Sequence, residues 1–270
     1  MKQADTPIGI FDSGIGGLTV AKAVKDKLPN ERIVYFGDTA HLPYGDKSEA
    51  AIQAYCVKIA DVLLQKRCKI ILIACNSASS VAFDLLKEYA GNSAKVINVI
   101  DPMIKYVSEK HSSGKIGLIG TKRTVLSGVY KDKLFNRSPN LLLSPLATPL
   151  LVPMIEEGYL NNKISHNIIE DYLSDEKLTG ISGLILGCTH YPLVKDEISN
   201  YYDGKVDVID SAERVASELA LYLEQENMLA KNSSSELDEF LISDYTDSFA
   251  RTAQMFFQDE ISISHYPLWE

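Results

Sequence analysis

The chain has 270 residues, of which 46% are hydrophobic and 23% charged, with a formal net charge of −9. That suits one large domain or two of average size, with a core that needs neither disulfides nor a metal. An acidic chain without a Lys/Arg cluster is a poor nucleic-acid binder, and no apolar run approaches the roughly 20 residues that span a bilayer, so nucleic-acid and membrane roles are set aside. Met1-Lys2-Gln3-Ala4-Asp5 leads into the first apolar run without the features of a secretory signal. The expectation is a cytoplasmic protein whose four cysteines, Cys56, Cys68, Cys75 and Cys188, are reduced thiols.

In chain order, short apolar runs predict strands at Ile8–Phe11, Arg32–Phe36, Lys69–Ala74, Lys95–Ile100, Lys115–Ile119, Leu141–Leu143, Gly183–Leu186 and Val206–Ile209. Near-continuous runs of this length suit strands covered on both faces, as in a parallel sheet. Between them, 47–66 reads as a helix burying Ile52, Tyr55, Cys56, Ile59, Ala60 and Leu63 on one face. A second helix, 211–226, starts behind Asp210 with Glu213 placed for a capping box. Asn232-Ser233-Ser234-Ser235 reads as an exposed loop, followed by Phe240–Ser243 and an apolar helix through Phe249, Ala253 and Phe256-Phe257. Alternating elements predict an α/β fold with mainly parallel sheets and helices on both sides.

Two faint similarities run in parallel. Ile8-Gly9-Ile10-Phe11-Asp12-Ser13-Gly14 resembles Ile116-Gly117-Leu118-Ile119-Gly120-Thr121-Lys122 at an offset of 108 residues. Ile71–Ser77 resembles Gly183–Thr189 more loosely, with Cys75 and Cys188 offset by 113. Similar offsets in the same order suggest two related lobes with a cleft towards which both cysteines face.

Four polar loops directly follow strands: Asp12–Gly17, Gly37-Asp38-Thr39, Cys75-Asn76-Ser77 and Cys188-Thr189-His190-Tyr191. Ligands of open α/β sheets bind at these carboxyl ends. The loop Gly14-Ile15-Gly16-Gly17 fits neither the dinucleotide nor the Walker spacing. It reads either as a tight turn or as a backbone cradle for a small anion. Cys56 and Cys68 read as packed thiols. Cys75 and Cys188 each end a strand before a helix, where a helix N-terminus is expected to lower the thiol pKa. A metal site would need ligands beyond Cys188 and His190, and no C-x-x-C or H-x-x-x-H supplies them. A serine hydrolase would need a G-x-S-x-G elbow, which is missing, and a Cys/His hydrolase leaves one of the two cysteines unexplained.

Taken together, the segments Ile10–Leu18, Phe36–Ala40 with Pro43-Tyr44-Gly45, Ala74–Ser79 and Leu186–Pro192 resemble the glutamate racemases, over nearly the whole chain. The resemblance implies two pseudo-symmetric lobes with the active site in the cleft between them: 1–98 plus 210–270, carrying Asp12 and Cys75, and 99–209, carrying Cys188 and His190. It implies cofactor-independent interconversion of L- and D-glutamate, with Cys75 removing the proton of the D-isomer and Cys188 that of the L-isomer. Asp12 and His190 are implied as acid–base helpers. Ser13, Tyr44, Gly45, Asn76, Ser77 and Thr189 are implied, with those two, in substrate binding, and Glu156 in tuning the His190 side, with Glu157 as the alternative register. A homodimer and a supply of D-glutamate for peptidoglycan are implied as well.

Two positions depart from the family: Ser77, where Thr is frequent, and His41, where Arg is frequent and a charge change at the mouth of the site is expected. The chemistry agrees with the resemblance, since inverting a carbon centre takes a base on one face and an acid on the other, and a thiol can be either. The rivals are an aspartate racemase, separated by pocket shape; a non-catalytic amino-acid sensor, which needs neither thiol; and a thiol redox protein, which wants its two cysteines close together.

Overall fold

The computed structural model describes residues 4–232, 236–245, 253, 256–257, 259 and 261–270. Ser233–Ser235 and Phe249, named above for a loop and a helix, lie outside the described residues. Ala253, Phe256 and Phe257 are helical and buried.

The strands are β1 (Ile8–Asp12), β2 (Ile33–Gly37), β3 (Ile70–Ile73), β4 (Lys95–Asn98), β5 (Gly114–Gly120), β6 (Leu141–Ala147), β7 (Gly183–Gly187), β8 (Asp207–Ile209), β9 (Glu239–Ile242) and β10 (Ile263–His265). The helices are α1 (Leu18–Lys27), α2 (Glu49–Gln65), α3 (Asn76–Ala90), α4 (Ile100–Lys110), α5 (Lys122–Leu126), α6 (Val129–Arg137), α7 (Leu151–Glu156), α8 (Lys163–Leu173), α9 (Lys195–Tyr201) and α10 (Ala212–Gln225).

They form two sheets, ordered β10-β9-β2-β1-β3-β4 and β6-β5-β7-β8, parallel throughout. The arrangement β2-β1-β3-β4 is repeated as β6-β5-β7-β8, so β1 corresponds to β5 and β3 to β7. This is the correspondence that the two sequence similarities suggest. The first sheet is then widened by β9 and β10 on the β2 edge.

Strands β1, β2, β3 and β7 are buried along their whole length, because helices cover both faces. One apolar core lies between the sheets, built around α1, α4 and α10 and including Ile10, Leu72, Met103, Leu118, Ile185 and Leu219. A second lies on the far face of the first sheet, under α2 and α3. Helix α2 buries Ile52, Cys56, Ile59, Ala60 and Leu63 as its periodicity predicts, while Tyr55 is only half-buried.

Three details differ from the sequence reading. The run from Lys95 stops pairing at Asn98, because the Asn98 Oδ1 accepts from Ile100 N and Asp101 N, both at 2.8 Å, and starts α4. Lys69 falls just outside β3, with its ammonium buried 2.6 Å from Glu31. At α10, Asp210 Oδ1 accepts from Ala212 N at 3.1 Å, but Ser211 is the N-cap residue and the expected Glu213 capping box is not among the hydrogen bonds of the described residues.

Candidate active site

The carboxyl ends of β1, β3 and β7 deliver Asp12, Cys75 and Cys188 to one place. Cys75 is the N-cap of α3, its Sγ accepting from Ala78 N at 3.4 Å and lying 3.6 Å from Ser13 Oγ. Cys188 follows β7, with its Sγ 3.8 Å from His190 Nδ1. Both thiols line a single cavity. Ser13, Tyr44, Gly45, Asn76, Ser77, Thr189, His190 and Glu156 line it too. Asp12 is fully buried and does not line it.

The glycine loop wraps around the Asp12 carboxylate. Its N–H groups at Gly14 and Gly17 donate to Asp12 Oδ2 at 3.3 and 3.0 Å. Those two donors are spent on the chain's own carboxylate. A Cβ on Gly17 would lie 2.5 Å from Asp12 Cβ, and one on Gly16 would lie 2.4 Å from His190 Nδ1. The glycines therefore let the Asp12 loop press directly against the Cys188–His190 loop, a contact also held by Thr19 Oγ1 donating to Thr189 O at 3.1 Å.

The two thiols have different partners. His190 lies between Cys188 and Glu156, its Nε2 2.9 Å from Glu156 Oε1. Burial works to lower the imidazole pKa, but the hydrogen bonds and charges of Cys188 and Glu156 outweigh it and push it up to about 10. Glu157 is exposed. On the other side the Cys75 thiol is pushed up to about 12, by burial first and then by the charge of Asp12. The lowered pKa expected from its place at the start of α3 is overturned: one N–H from Ala78 does not offset desolvation and a neighbouring carboxylate. Burial also raises Asp12, against the pull of His190 and of the Gly17, Gly14 and Ser13 N–H groups.

Two buried polar atoms here have no partner, Asp12 Oδ1 and Asn76 Nδ2. The Asn76 carbonyl oxygen accepts from Tyr130 Oη at 2.7 Å, so the amide is fixed with its nitrogen unused. An unpaired buried donor on a cavity wall is costly unless a ligand completes it. Ser77 Oγ lies 2.8 Å from Thr121 Oγ1, which joins the two halves of the cavity wall. Thr121 and Tyr130 were not singled out from sequence. The first had a signal, since the internal similarity aligns Thr121 with Ser13; the second, inside α6, had none.

His41 is not among the cavity-lining residues. Its ring stacks on Tyr55 at 4.0 Å, meets Trp269 edge-on at 4.4 Å and bonds Asp38. Among the described residues, no group of three or more His, Cys, Asp or Glu side chains could hold a metal ion, and no helix is long and apolar enough to cross a membrane.

Paired thiols, brought by equivalent strands of twin parallel sheets to one cavity, mark this as the candidate active site of an enzyme. The chain belongs to the Asp/Glu/Hydantoin racemase family, whose sequence profile matches residues 18–219. It is an amino-acid racemase, an isomerase. It is 39% identical to the glutamate racemase of Chlorobaculum parvum over 256 residues, covering 95% of this chain and 94% of that one. The crystal structure of glutamate racemase from Francisella tularensis in complex with D-glutamate superposes with a TM-score of 0.91 at 36% identity, over 98% of this chain and 99% of that one. The glutamate racemase isoform RacE1 of Bacillus anthracis gives 0.92 at 32% identity, with the same coverage.

Proposed function

We propose that the protein interconverts L- and D-glutamate by a two-base proton transfer between Cys75 and Cys188, without a cofactor. The observation that carries this reading is the pair of thiols on one cavity, reached from corresponding strands, with His190 Nδ1 3.8 Å from Cys188 and the charge of buried Asp12 acting on Cys75.

With L-glutamate, Cys188 as thiolate beside the His190 imidazolium takes the α-proton. The Cys75 thiol, which burial keeps protonated, delivers its proton to the opposite face. The D-isomer leaves with Cys75 as thiolate and Cys188 as thiol, so one proton is gained and one lost at carbon. In the reverse direction Cys75 must first be thiolate. Asp12, itself raised in pKa, is suited to take up that proton through its unpartnered Oδ1. Glu156 keeps His190 charged.

Negative charge developing at the α-carbon spreads into the α-carboxylate, and preorganised donors there stabilise the transition state by about 3 kcal/mol each. Asn76 Nδ2 and the hydroxyls of Ser13, Ser77 and Thr189 supply donors on the cavity wall, and Tyr44 and Gly45 complete the substrate site. Burial of the cavity strengthens every such interaction by keeping water out.

The same reading divides the chain into one lobe of 1–98 plus 210–270 and another of 99–209. It makes the protein a cytoplasmic homodimer that supplies D-glutamate for peptidoglycan. The test is incubation of purified protein with L- and D-glutamate and with L- and D-aspartate, followed by chiral separation. Racemisation of both glutamate isomers is expected. Turnover of aspartate alone would replace this reading with an aspartate racemase.

A further inference from the structure

Asp38 follows β2, is fully buried, and gathers four donors. Tyr44 Oη donates to its Oδ2 at 2.6 Å, Ser243 Oγ and Trp269 Nε1 to its Oδ1 at 2.8 Å each, and His41 Nδ1 lies 3.1 Å from Oδ2. Tyr44 is part of the cavity wall; Trp269 is not. The Trp269 ring stands edge-on to His41 at 4.4 Å and to Tyr55 at 5.5 Å, with Lys58 Nζ 5.1 Å above it. The segment after β10 is thus bonded, through one carboxylate, to a side chain that bounds the reaction cavity.

We propose that Trp269 is a positioning residue: by holding Oδ1 of Asp38 it fixes Oδ2 as the anchor of Tyr44, and so sets the Pro43-Tyr44-Gly45 wall against the substrate. The inference rests on the reading that this cavity takes glutamate. A buried carboxylate deprived of one donor turns towards what remains or draws in water. Either change loosens the Tyr44 bond. Oδ1 then keeps Ser243 Oγ at 2.8 Å and His41 Nδ1, which at 3.2 Å is shared with Oδ2, and Tyr55 brings no further donor, so the short indole N–H bond is not replaced.

The test is a double-mutant cycle with Trp269→Phe, which keeps an aromatic ring and removes the donor, and Tyr44→Phe, which breaks the same anchor from the cavity side. Trp269→Phe is expected to raise KM for glutamate about tenfold, the size of one lost charge-assisted bond, with kcat within about threefold. The double variant should be no worse than the poorer single variant, since both act through one bond. Unchanged KM in Trp269→Phe, or effects that multiply in the double variant, would overturn the proposal. A general loss of folding would lower apparent kcat and leave KM unchanged, the opposite of the expected split, and so also counts against it. Trp269 is the only tryptophan in the chain, so D-glutamate should change the emission of the wild-type protein, and Tyr44→Phe should abolish that change. An equal change in Tyr44→Phe would contradict the route through Asp38. Wild-type protein that does not racemise glutamate at all would instead overturn the underlying reading, and this proposal with it.

Discussion

His190 Nε2 lies 2.9 Å from Glu156 Oε1, and this contact, together with the larger effect of Cys188, raises the pKa of the buried imidazole against desolvation. Glu156→Gln removes the charge but keeps an acceptor. The pKa of His190, at about 10, should fall by about a unit, and the alkaline limb of L-glutamate turnover should move to lower pH with it. The sign for stability follows from the raised value. The His190 contribution is complete below its unfolded pKa of about 6.5 and is lost as pH rises through about 10. Chemical denaturation from pH 6 to pH 10 should show a smaller loss in the variant than in the wild type. An unmoved alkaline limb would separate Glu156 from the function of His190.

Asp12 raises the pKa of Cys75 by its charge. In Asp12→Asn the thiol becomes more acidic, so Cys75 should be alkylated at lower pH than in the wild type. Racemisation from D-glutamate should nevertheless fall about 10²–10³-fold, the usual cost of losing a positioned acid–base group. Mass spectrometry of alkylated peptides across a pH series gives the first result and steady-state rates the second. A more reactive thiol together with undiminished turnover would show that Asp12 takes no part in the proton transfer.

Gly16 faces His190 with no room for a methyl group. Gly16→Ala should cost about 1–3 kcal/mol of stability through overpacking. It should also reduce kcat in both directions, since the added carbon displaces both the Asp12 loop and the imidazole. Urea unfolding and kinetics on the same sample check the pair of effects, and normal values for both would mean that the two loops separate readily.

Much of this was readable from the sequence. The apolar runs marked eight of the ten strands among the described residues, because a strand covered on both faces needs little else. The repeat placed Cys75 and Cys188 on corresponding strands. What the sequence could not supply was pairing between distant segments. Strand β10 is short and largely exposed, without the apolar run that marks the others. The Tyr130 bond to Asn76 joins residues 54 apart, and the Trp269 bond to Asp38 joins residues 231 apart. The pKa of Cys75 failed as an expectation for the same reason: a helix N-terminus is visible locally, whereas burial and a carboxylate from another strand are not.

Cys75→Ser and Cys188→Ser should each lower racemisation by at least about 10³-fold, because a serine hydroxyl is far too weak a base at neutral pH. They should differ when offered a glutamate analogue with a good leaving group at the β-carbon, where one proton abstraction suffices for elimination. Cys188→Ser should act on the D-isomer alone and Cys75→Ser on the L-isomer alone. The same enantiomer preference in both variants would reverse or remove the assignment of roles.

The two-base transfer itself is tested most directly by early-time isotope exchange. L-Glutamate is incubated with the protein in heavy water, and both isomers are recovered before the reaction has advanced far. The D-glutamate should carry deuterium at the α-carbon while the remaining L-glutamate stays unlabelled, since one thiol removes the proton and the other delivers a solvent-derived one. Deuterium appearing in recovered L-glutamate as fast as in D-glutamate would mean that a single group serves both faces, contradicting the separate roles of Cys75 and Cys188.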